Sequence, residues 1–134
     1  MRSVIKFEVN QSTVATNFLD VTIALKNNKL QTTLYSKPTD AHLYLNKSSN
    51  HPKHVTRNLP KGQFIRIRRI CSETTEYIRN CNILSKYLLK RGYSEKLLQG
   101  TMKEVLAMKR EDLLCDKQKE KNLHSTIWCS NHRQ

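Results

Sequence analysis

The amino-acid sequence predicts an α+β fold, in which a β-hairpin or small antiparallel sheet precedes a small bundle of about three helices. Over the first third of the chain, apolar and polar residues alternate as they do along half-buried strands. From about residue 58 onward, apolar residues recur every three or four positions, which is the spacing of amphipathic helices. The 134 residues are 37% hydrophobic and include three glycines and three prolines, a composition typical of a folded but sparsely cored chain.

Three regions follow from this change of pattern. Residues 1–58 are predicted to hold the β-hairpin and an irregular loop that follows it. Residues 59–123 are predicted to hold the helices, and residues 124–134 to form a disordered tail. The low apolar content leads us to expect a piece of something larger, since small domains need most of their apolar residues for a core.

Three strands are predicted before residue 36. A short segment rich in β-formers, residues 4–9, gives the first strand. Residues 18–25 give the second, and four apolar side chains share one of its faces at period two: Leu19, Val21, Ile23 and Leu25. Because asparagine tolerates positive φ, Asn27 and Asn28 predict a two-residue hairpin turn, and residues 30–35 return as the third strand.

Proline, asparagine and serine interrupt both periodicities between residues 36 and 60. Within this stretch, residues 41–45 predict one turn of helix. The first long helix is predicted to begin at Pro60, because proline is favoured at the first helical position. Its apolar positions are Phe64, Ile67, and either Ile70 or Cys71.

A second helix is predicted after Ser72, a residue type that caps helix N-termini. Its apolar stripe has four members at helical spacing: Tyr77, Cys81, Leu84 and Leu88. Gly92 fits the left-handed position that commonly follows a helix C-terminus.

A third helix is predicted from Ser94, with Tyr93 and Leu98 placed to form a hydrophobic staple around that cap. Gly100 should weaken this helix by about 1 kcal/mol. Its apolar stripe comprises Leu98, Met102 or Thr101, Val105 and Met108. The second and third helices and their glycine-containing turn resemble a helix-turn-helix in outline. The outward positions carry no obvious base-reading set: Glu95, Lys96, Gln99, Lys103 and Glu104. Residues 111–123 predict another helix or a ragged extension.

The charge balance indicates a polyanionic partner. The chain has 24 lysines and arginines against 11 acidic residues, a formal net charge of +13. Such a surplus is typical of proteins that bind nucleic acid or an anionic membrane, and nucleic acid is the commoner partner. No apolar run approaches the roughly 20 residues of a spanning helix, and residues 1–10 lack the apolar core of a signal peptide. We therefore expect a nuclear or cytoplasmic protein that is neither secreted nor bound to membranes, with four reduced cysteines.

The strongest basic cluster lies between residues 61 and 69, which contain no acid. Arginines there offer bidentate contacts to phosphate, and Arg66 and Arg69 are three positions apart on the predicted helix. The alternative is a solvated basic face, or an arginine paired with Glu73 or Glu76. The predicted nucleic-acid-binding residues are Lys53, Arg57, Lys61, Arg66, Arg68 and Arg69.

Catalytic and metal-binding interpretations are weaker. The acidic residues Asp20, Asp40, Asp112 and Asp116 form no adjacent pair of the kind that holds Mg²⁺ on a hairpin. His51 with His54, and Cys129 with His132, do not make a four-ligand zinc set at a recognisable spacing. The apolar stripes favour core packing for Cys71 and Cys81 over a nucleophilic role. We therefore expect no catalytic residues, metal, cofactor or small-molecule substrate.

Several blocks of sequence recur in the order found in one known family. They are residues 18–23, 34–40, 51–54, 68–72 and 89–93, which read FLDVTI, LYSKPTD, HPKH, RRICS and LKRGY. Together they resemble the segment that follows the polymerase core in Penelope-like retroelement reverse transcriptases. The resemblance spans roughly residues 15–115, and the chain departs from it after about Leu114.

This resemblance implies the end of the palm followed by a helical thumb that grips the backbone of a template–primer duplex. It also implies an animal helix-turn-helix domain over about residues 72–108. The family's catalytic palm and its nicking GIY-YIG nuclease are absent from this chain. The expected function is therefore that of a reverse transcriptase fragment that binds an RNA–DNA hybrid or DNA duplex without catalysing synthesis. The alternative is an inert retroelement remnant or a helical protein-interaction module.

Overall fold

The computed structural model describes residues 12–115, which form a three-stranded antiparallel sheet followed by four helices. The strands are β1 (Ala15–Phe18), β2 (Val21–Lys26) and β3 (Lys29–Leu34). The helices are α1 (Lys53–Ile70), α2 (Thr74–Lys90), α3 (Glu95–Ala107) and α4 (Arg110–Leu114). The predicted α+β class is confirmed. The predicted strand at residues 4–9, most of the predicted extension at 111–123 and the predicted tail at 124–134 lie outside the described residues.

The predicted hairpin between β2 and β3 is confirmed. Asn27 and Asn28 have φ values of 49° and 58°, which suit asparagine, and Leu25 pairs with Leu30 across the turn. The prediction of one unbroken strand over residues 18–25 is wrong, because the chain turns at Leu19 (φ 54°) and Asp20. Tertiary contacts stabilise this turn, since the Asp20 carbonyl accepts the N–H of Tyr35 at 2.8 Å.

Two predictions between residues 36 and 60 are wrong. Residues 41–45 form no helical turn, because His42 adopts a φ of 50° and donates its N–H to the Asp40 carboxylate at 2.9 Å. The helical region begins at Lys53 instead of 59, and the predicted boundary at residues 58–59 falls within α1. Pro60 lies inside the helix, on its buried face. Pro52 is the residue that directly precedes the helix.

The predicted stripe of α2 is confirmed, since Tyr77, Cys81, Leu84 and Leu88 are all buried. The prediction that Ser72 caps this helix is wrong, because the N-cap residue is Glu73. Ser72 instead bonds to β3: it donates its N–H to the Thr32 carbonyl at 2.9 Å, and its hydroxyl accepts the Thr32 N–H at 3.0 Å.

The predicted turn and the start of α3 are confirmed. Gly92 has a φ of 85°, and Ser94 is the N-cap residue of α3. Leu98 and Val105 are buried, and Tyr93 joins them in the core. The buried apolar side chains of the described residues all come from the helices and their connections. They are Pro60, Phe64, Ile67, Cys71, Tyr77, Cys81, Leu84, Leu88, Tyr93, Leu98 and Val105.

Candidate nucleic-acid interface

Helix α1 carries all six basic residues that the sequence singles out. Lys53, Arg57, Arg66 and Arg69 are exposed, whereas Lys61 and Arg68 are half-buried. At 100° per residue, Arg66 and Arg68 point about 160° apart around the helix. The three arginines therefore do not form one continuous face, and each has different surroundings.

Arg66 lies on the side of α1 that faces the sheet. Its Nε and Nη2 atoms both donate to Asp20 Oδ2, in the turn between β1 and β2. This bond holds the pKa of the Asp20 carboxyl below its usual value. A shared contact of Arg66 and Arg69 with one phosphate backbone would have to compete with this internal ion pair.

Arg68 packs on the opposite side, with its guanidinium carbon 5.6 Å from the centre of the Tyr77 ring. Its Nε atom is buried without a hydrogen-bond partner among the described residues. Arg69 is exposed, and its side chain makes no ion pair with the described part of the chain. Its carbonyl accepts a bond from Arg110 Nη2 at 2.9 Å. Of the three arginines, only Arg69 thus presents a guanidinium without a packing partner in residues 12–115.

Lys61 connects α1 to α3, because its ammonium forms an ion pair with Glu104. Both side chains are more than a third exposed, so solvent screens this pair. Further along α1, the Arg69 carbonyl accepts two bonds from Arg110, which attaches α4 to the same helix.

Four exposed cations lie on α1 and α3: Lys53 and Arg57 in the first turns of α1, and Lys96 and Lys103 on α3. None of the four makes an ion pair with residues 12–115. Lys96 and Lys103 line one open depression on α3 together with Glu95, Gln99 and Gly100.

Sequence reasoning did not single out Lys96 and Lys103, because α3 alternates basic and acidic side chains. Glu104 forms an ion pair with Lys61, and Glu95 accepts a hydrogen bond from the Gln99 amide at 2.8 Å. The pairing of Glu104 with a residue of α1 is visible only in the folded chain. A spacing of 43 residues between Lys61 and Glu104 leaves no local signal in the sequence.

The turn between α2 and α3 is braced by the loop before α1. Lys47 donates its N–H to the Arg91 carbonyl at 2.9 Å, and its ammonium lies 5.3 Å from the centre of the Tyr93 ring. Burial raises the pKa of Tyr93. These two contacts connect the loop before α1 to the turn between α2 and α3.

The residues considered for metal binding or catalysis are placed as follows in the structure. Within residues 12–115, no three or more His, Cys, Asp or Glu side chains are grouped to hold a metal ion. His51 contacts the Ser49 hydroxyl through Nδ1, and His54 is exposed on α1. Cys129 and His132 lie outside the described residues. Cys71 and Cys81 are buried free thiols, and burial raises the pKa of Cys81 to about 12. In the described part of the chain, no helix is both long and apolar enough to cross a membrane.

Part of the chain is similar to a known family. Residues 43–103, just under half of the chain, match the model of the animal helix-turn-helix domain. Searches of curated proteins and of solved structures each return no match. The matched segment runs from the loop that contacts the α2–α3 turn, through α1 and α2, to Lys103 on α3. Residues 43–103 are therefore similar to an animal helix-turn-helix domain.

Proposed function

We propose that this chain binds double-helical nucleic acid through backbone contacts, as part of a reverse transcriptase of the Penelope-like type. The observation that carries the proposal is the helix-turn-helix match over residues 43–103, in a chain with a net charge of +13. Exposed cations without internal partners support it, because such groups can neutralise phosphates without breaking existing ion pairs.

The six predicted residues differ in whether their side chains contact other residues of the chain. Lys53, Arg57 and Arg69 are exposed and make no ion pair with residues 12–115. Lys61, Arg66 and Arg68 are engaged by Glu104, Asp20 and Tyr77. We therefore propose that the first three carry most of the phosphate contacts, and that the other three position helices and sheet.

The test is a salt titration with labelled DNA duplex and RNA–DNA hybrid of mixed sequence. Binding should weaken steeply as salt rises, because each neutralised phosphate releases bound counterions. Arg57→Gln should weaken binding to all sequences and lower the slope of log affinity against log salt by about 1. Arg79→Gln on α2, 71% exposed, is the matched control and should leave that slope unchanged. Affinity that does not change between low and moderate salt would contradict the proposal.

We further propose that the isolated chain does not polymerise DNA. Within residues 12–115, no three His, Cys, Asp or Glu side chains are grouped to hold a metal ion, and Asp20 is paired with Arg66. A primer-extension assay with Mg²⁺ and template–primer should show no incorporation above a control without protein. Measured nucleotide incorporation would overturn this proposal.

One observation favours a second candidate function, that of a module that packs against another protein. The sheet leaves Phe18 66%, Leu25 50% and Leu30 72% exposed. Opposed strand positions share a face, so Leu25 and Leu30 lie together on one side of the sheet. Exposed apolar surface of this kind is typical of interaction sites. This candidate predicts no binding to either duplex at low salt.

A further inference from the structure

A cleft lies where the sheet meets the bundle, between the end of β3, the loop that follows it, α1 and α2. It consists of two adjoining cavities of about 360 Å³ and 120 Å³, which share four lining residues: Leu34, Ser36, Tyr44 and Arg66. Together the cavities reach the size of small-ligand sites, which begin at about 300 Å³. Of the six basic residues predicted from the sequence, only Arg66 lines this cleft.

Aromatic rings form much of the wall of the cleft. Its lining includes four part-buried aromatic side chains: Tyr35, His42, Tyr44 and Tyr87. The centre of the His42 ring lies 4.4 Å from that of Tyr87, and the ring is nearly parallel to that of Tyr44, at 17° and 6.4 Å. Three of the five tyrosines of the chain thus line the cleft instead of filling the core. Grouped aromatic faces of this kind offer surfaces on which a flat ring can stack.

His42 is held at this wall in an unusual conformation. Its φ of 50° lies in a region that few residues other than glycine adopt. Its Nδ1 atom is buried and makes no hydrogen bond with residues 12–115, although Oδ2 of Asp40 lies 3.4 Å away. Strained backbone and unpaired buried polar atoms are typical of sites that bind a ligand.

The charges of the larger cavity favour an uncharged occupant. Its lining holds two cations and two carboxylates: Lys37, Arg66, Asp20 and Asp40. Arg66 donates to Asp20, and Asp40 accepts the N–H of His42. A phosphate inside the cavity would therefore approach two carboxylates, whereas a neutral polar group would find both donors and acceptors. This balance distinguishes the cavity from the rest of a chain whose net charge is +13.

We propose that this cleft holds the base of one unpaired nucleotide of the bound nucleic acid, stacked against the aromatic wall. A nucleobase is flat and uncharged, and its edge carries donors and acceptors that the hydroxyls of Ser36 and Thr39 can meet. Lys37 is exposed and makes no ion pair with residues 12–115, so it can contact the phosphate of the same nucleotide. The inference rests on the proposed function and adds a site for an unpaired base to the backbone contacts.

The experiment measures fluorescence anisotropy of the full chain with three labelled DNA duplexes. One is fully paired, one carries a single unpaired adenine, and in the third that unpaired nucleotide lacks its base. The second and third duplexes have the same backbone and charge, so their comparison isolates the base. Wild type should bind the adenine duplex about tenfold more tightly than the abasic one, as expected when one base stacks on an aromatic side chain.

Three variants test whether the base occupies the cleft. Tyr44→Leu removes the ring and should lower this preference about fivefold, whereas Tyr44→Phe keeps the ring and should retain it. Tyr44 packs partly against the core, so Ser36→Gln provides a second test at an exposed position shared by both cavities, and it should also lower the preference. Phe18→Leu is the matched control, because Phe18 is 66% exposed and lines neither cavity.

The outcomes separate this inference from the function on which it rests. Equal, salt-dependent binding of the adenine and abasic duplexes overturns the inference and leaves the proposed function intact. A preference that survives in both Tyr44→Leu and Ser36→Gln, or that Phe18→Leu lowers equally, also overturns it, because the base then binds elsewhere. Wild type that binds adenosine monophosphate as tightly as the adenine duplex shows a site for a free nucleotide and overturns it too. Absence of binding to all three duplexes overturns both.

Discussion

The helical bundle and the sheet are stabilised by different interactions. Every buried apolar side chain of the described residues lies between Pro60 and Val105, whereas the sheet leaves Phe18 two-thirds exposed. The sheet is attached through β3, mainly by hydrogen bonds from Thr32 and Thr33 to the connection between α1 and α2 and to α2. Burial therefore stabilises the bundle, whereas the sheet is attached mainly by polar contacts of β3 and of the β1–β2 turn, with Leu34 as its apolar contact to the core.

The largest expected difference between the two regions comes from truncating one phenylalanine in each. Phe64→Ala should lower the free energy of unfolding by about 3–5 kcal/mol, because this fully buried ring leaves a cavity. Phe18→Ala in β1 should cost less than about 0.5 kcal/mol, since its ring is mostly in water. Urea denaturation followed by circular dichroism measures both.

Phe64→Ala could leave no folded state to titrate. In that case Phe64→Leu gives the same comparison, with a smaller loss of the same sign. Similar losses for the Phe18 and Phe64 variants would show that the sheet face is also buried in solution, and would remove the distinction between the two regions.

An intermediate effect is expected for the polar attachment of the sheet. The Thr32 hydroxyl donates to the Ile70 carbonyl at 2.6 Å. Thr32→Val keeps the shape and removes the donor, and it should cost about 1–2 kcal/mol, because a part-buried acceptor loses its partner. Thr16→Val, on exposed β1, is the matched control and should change the free energy of unfolding by less than about 0.5 kcal/mol. Equal effects in the two variants would mean that the sheet is attached by some other contact.

The two regions also differ in how far the sequence predicts them. In the bundle, the stripe from Tyr77 to Leu88 and the turn at Gly92 follow from local spacing and from one residue's conformational preference. Burial on one face of a helix is a local pattern, so it can be recognised without knowing the partner. The Asn27–Asn28 turn was predictable from another local feature, the tolerance of asparagine for positive φ.

The errors lie where distant residues decide the local conformation. Ser72 has the chemistry of an N-cap, but its hydroxyl and N–H bond to Thr32, forty positions earlier. The turn at Leu19 interrupts an alternation that otherwise predicts a single strand, and Asp20 is held there by Arg66.

The candidate interface was also predictable only in part. Composition and the cluster on α1 indicated a polyanion, and the positions of Lys53 and Arg57 agree with an exposed basic helix. Which cations are free depends on Asp20, Glu104 and Tyr77, all more than eight positions from their partners. Sequence therefore indicated the partner class, while pairing across the fold determines which side chains can reach it.

The smallest effect is expected for the ion pair between Arg66 and Asp20, which joins the two regions within residues 12–115. Both side chains are more than a third exposed, so solvent screens the pair, and Asp20→Asn should cost only about 0.2–1 kcal/mol at neutral pH and low salt. The bond from Arg66 lowers the pKa of Asp20 in the folded state. Its contribution is therefore fully present above the ordinary aspartate pKa of about 4 and is lost as the pH falls through the lower, folded pKa. A double-mutant cycle with Asp20→Asn and Arg66→Gln, measured by urea denaturation, should give a coupling energy that declines with acid and with added salt. A coupling that persists unchanged in acid would mean that Arg66 stabilises the turn by packing its side chain against Asp20, and that charge has no part in joining sheet and bundle.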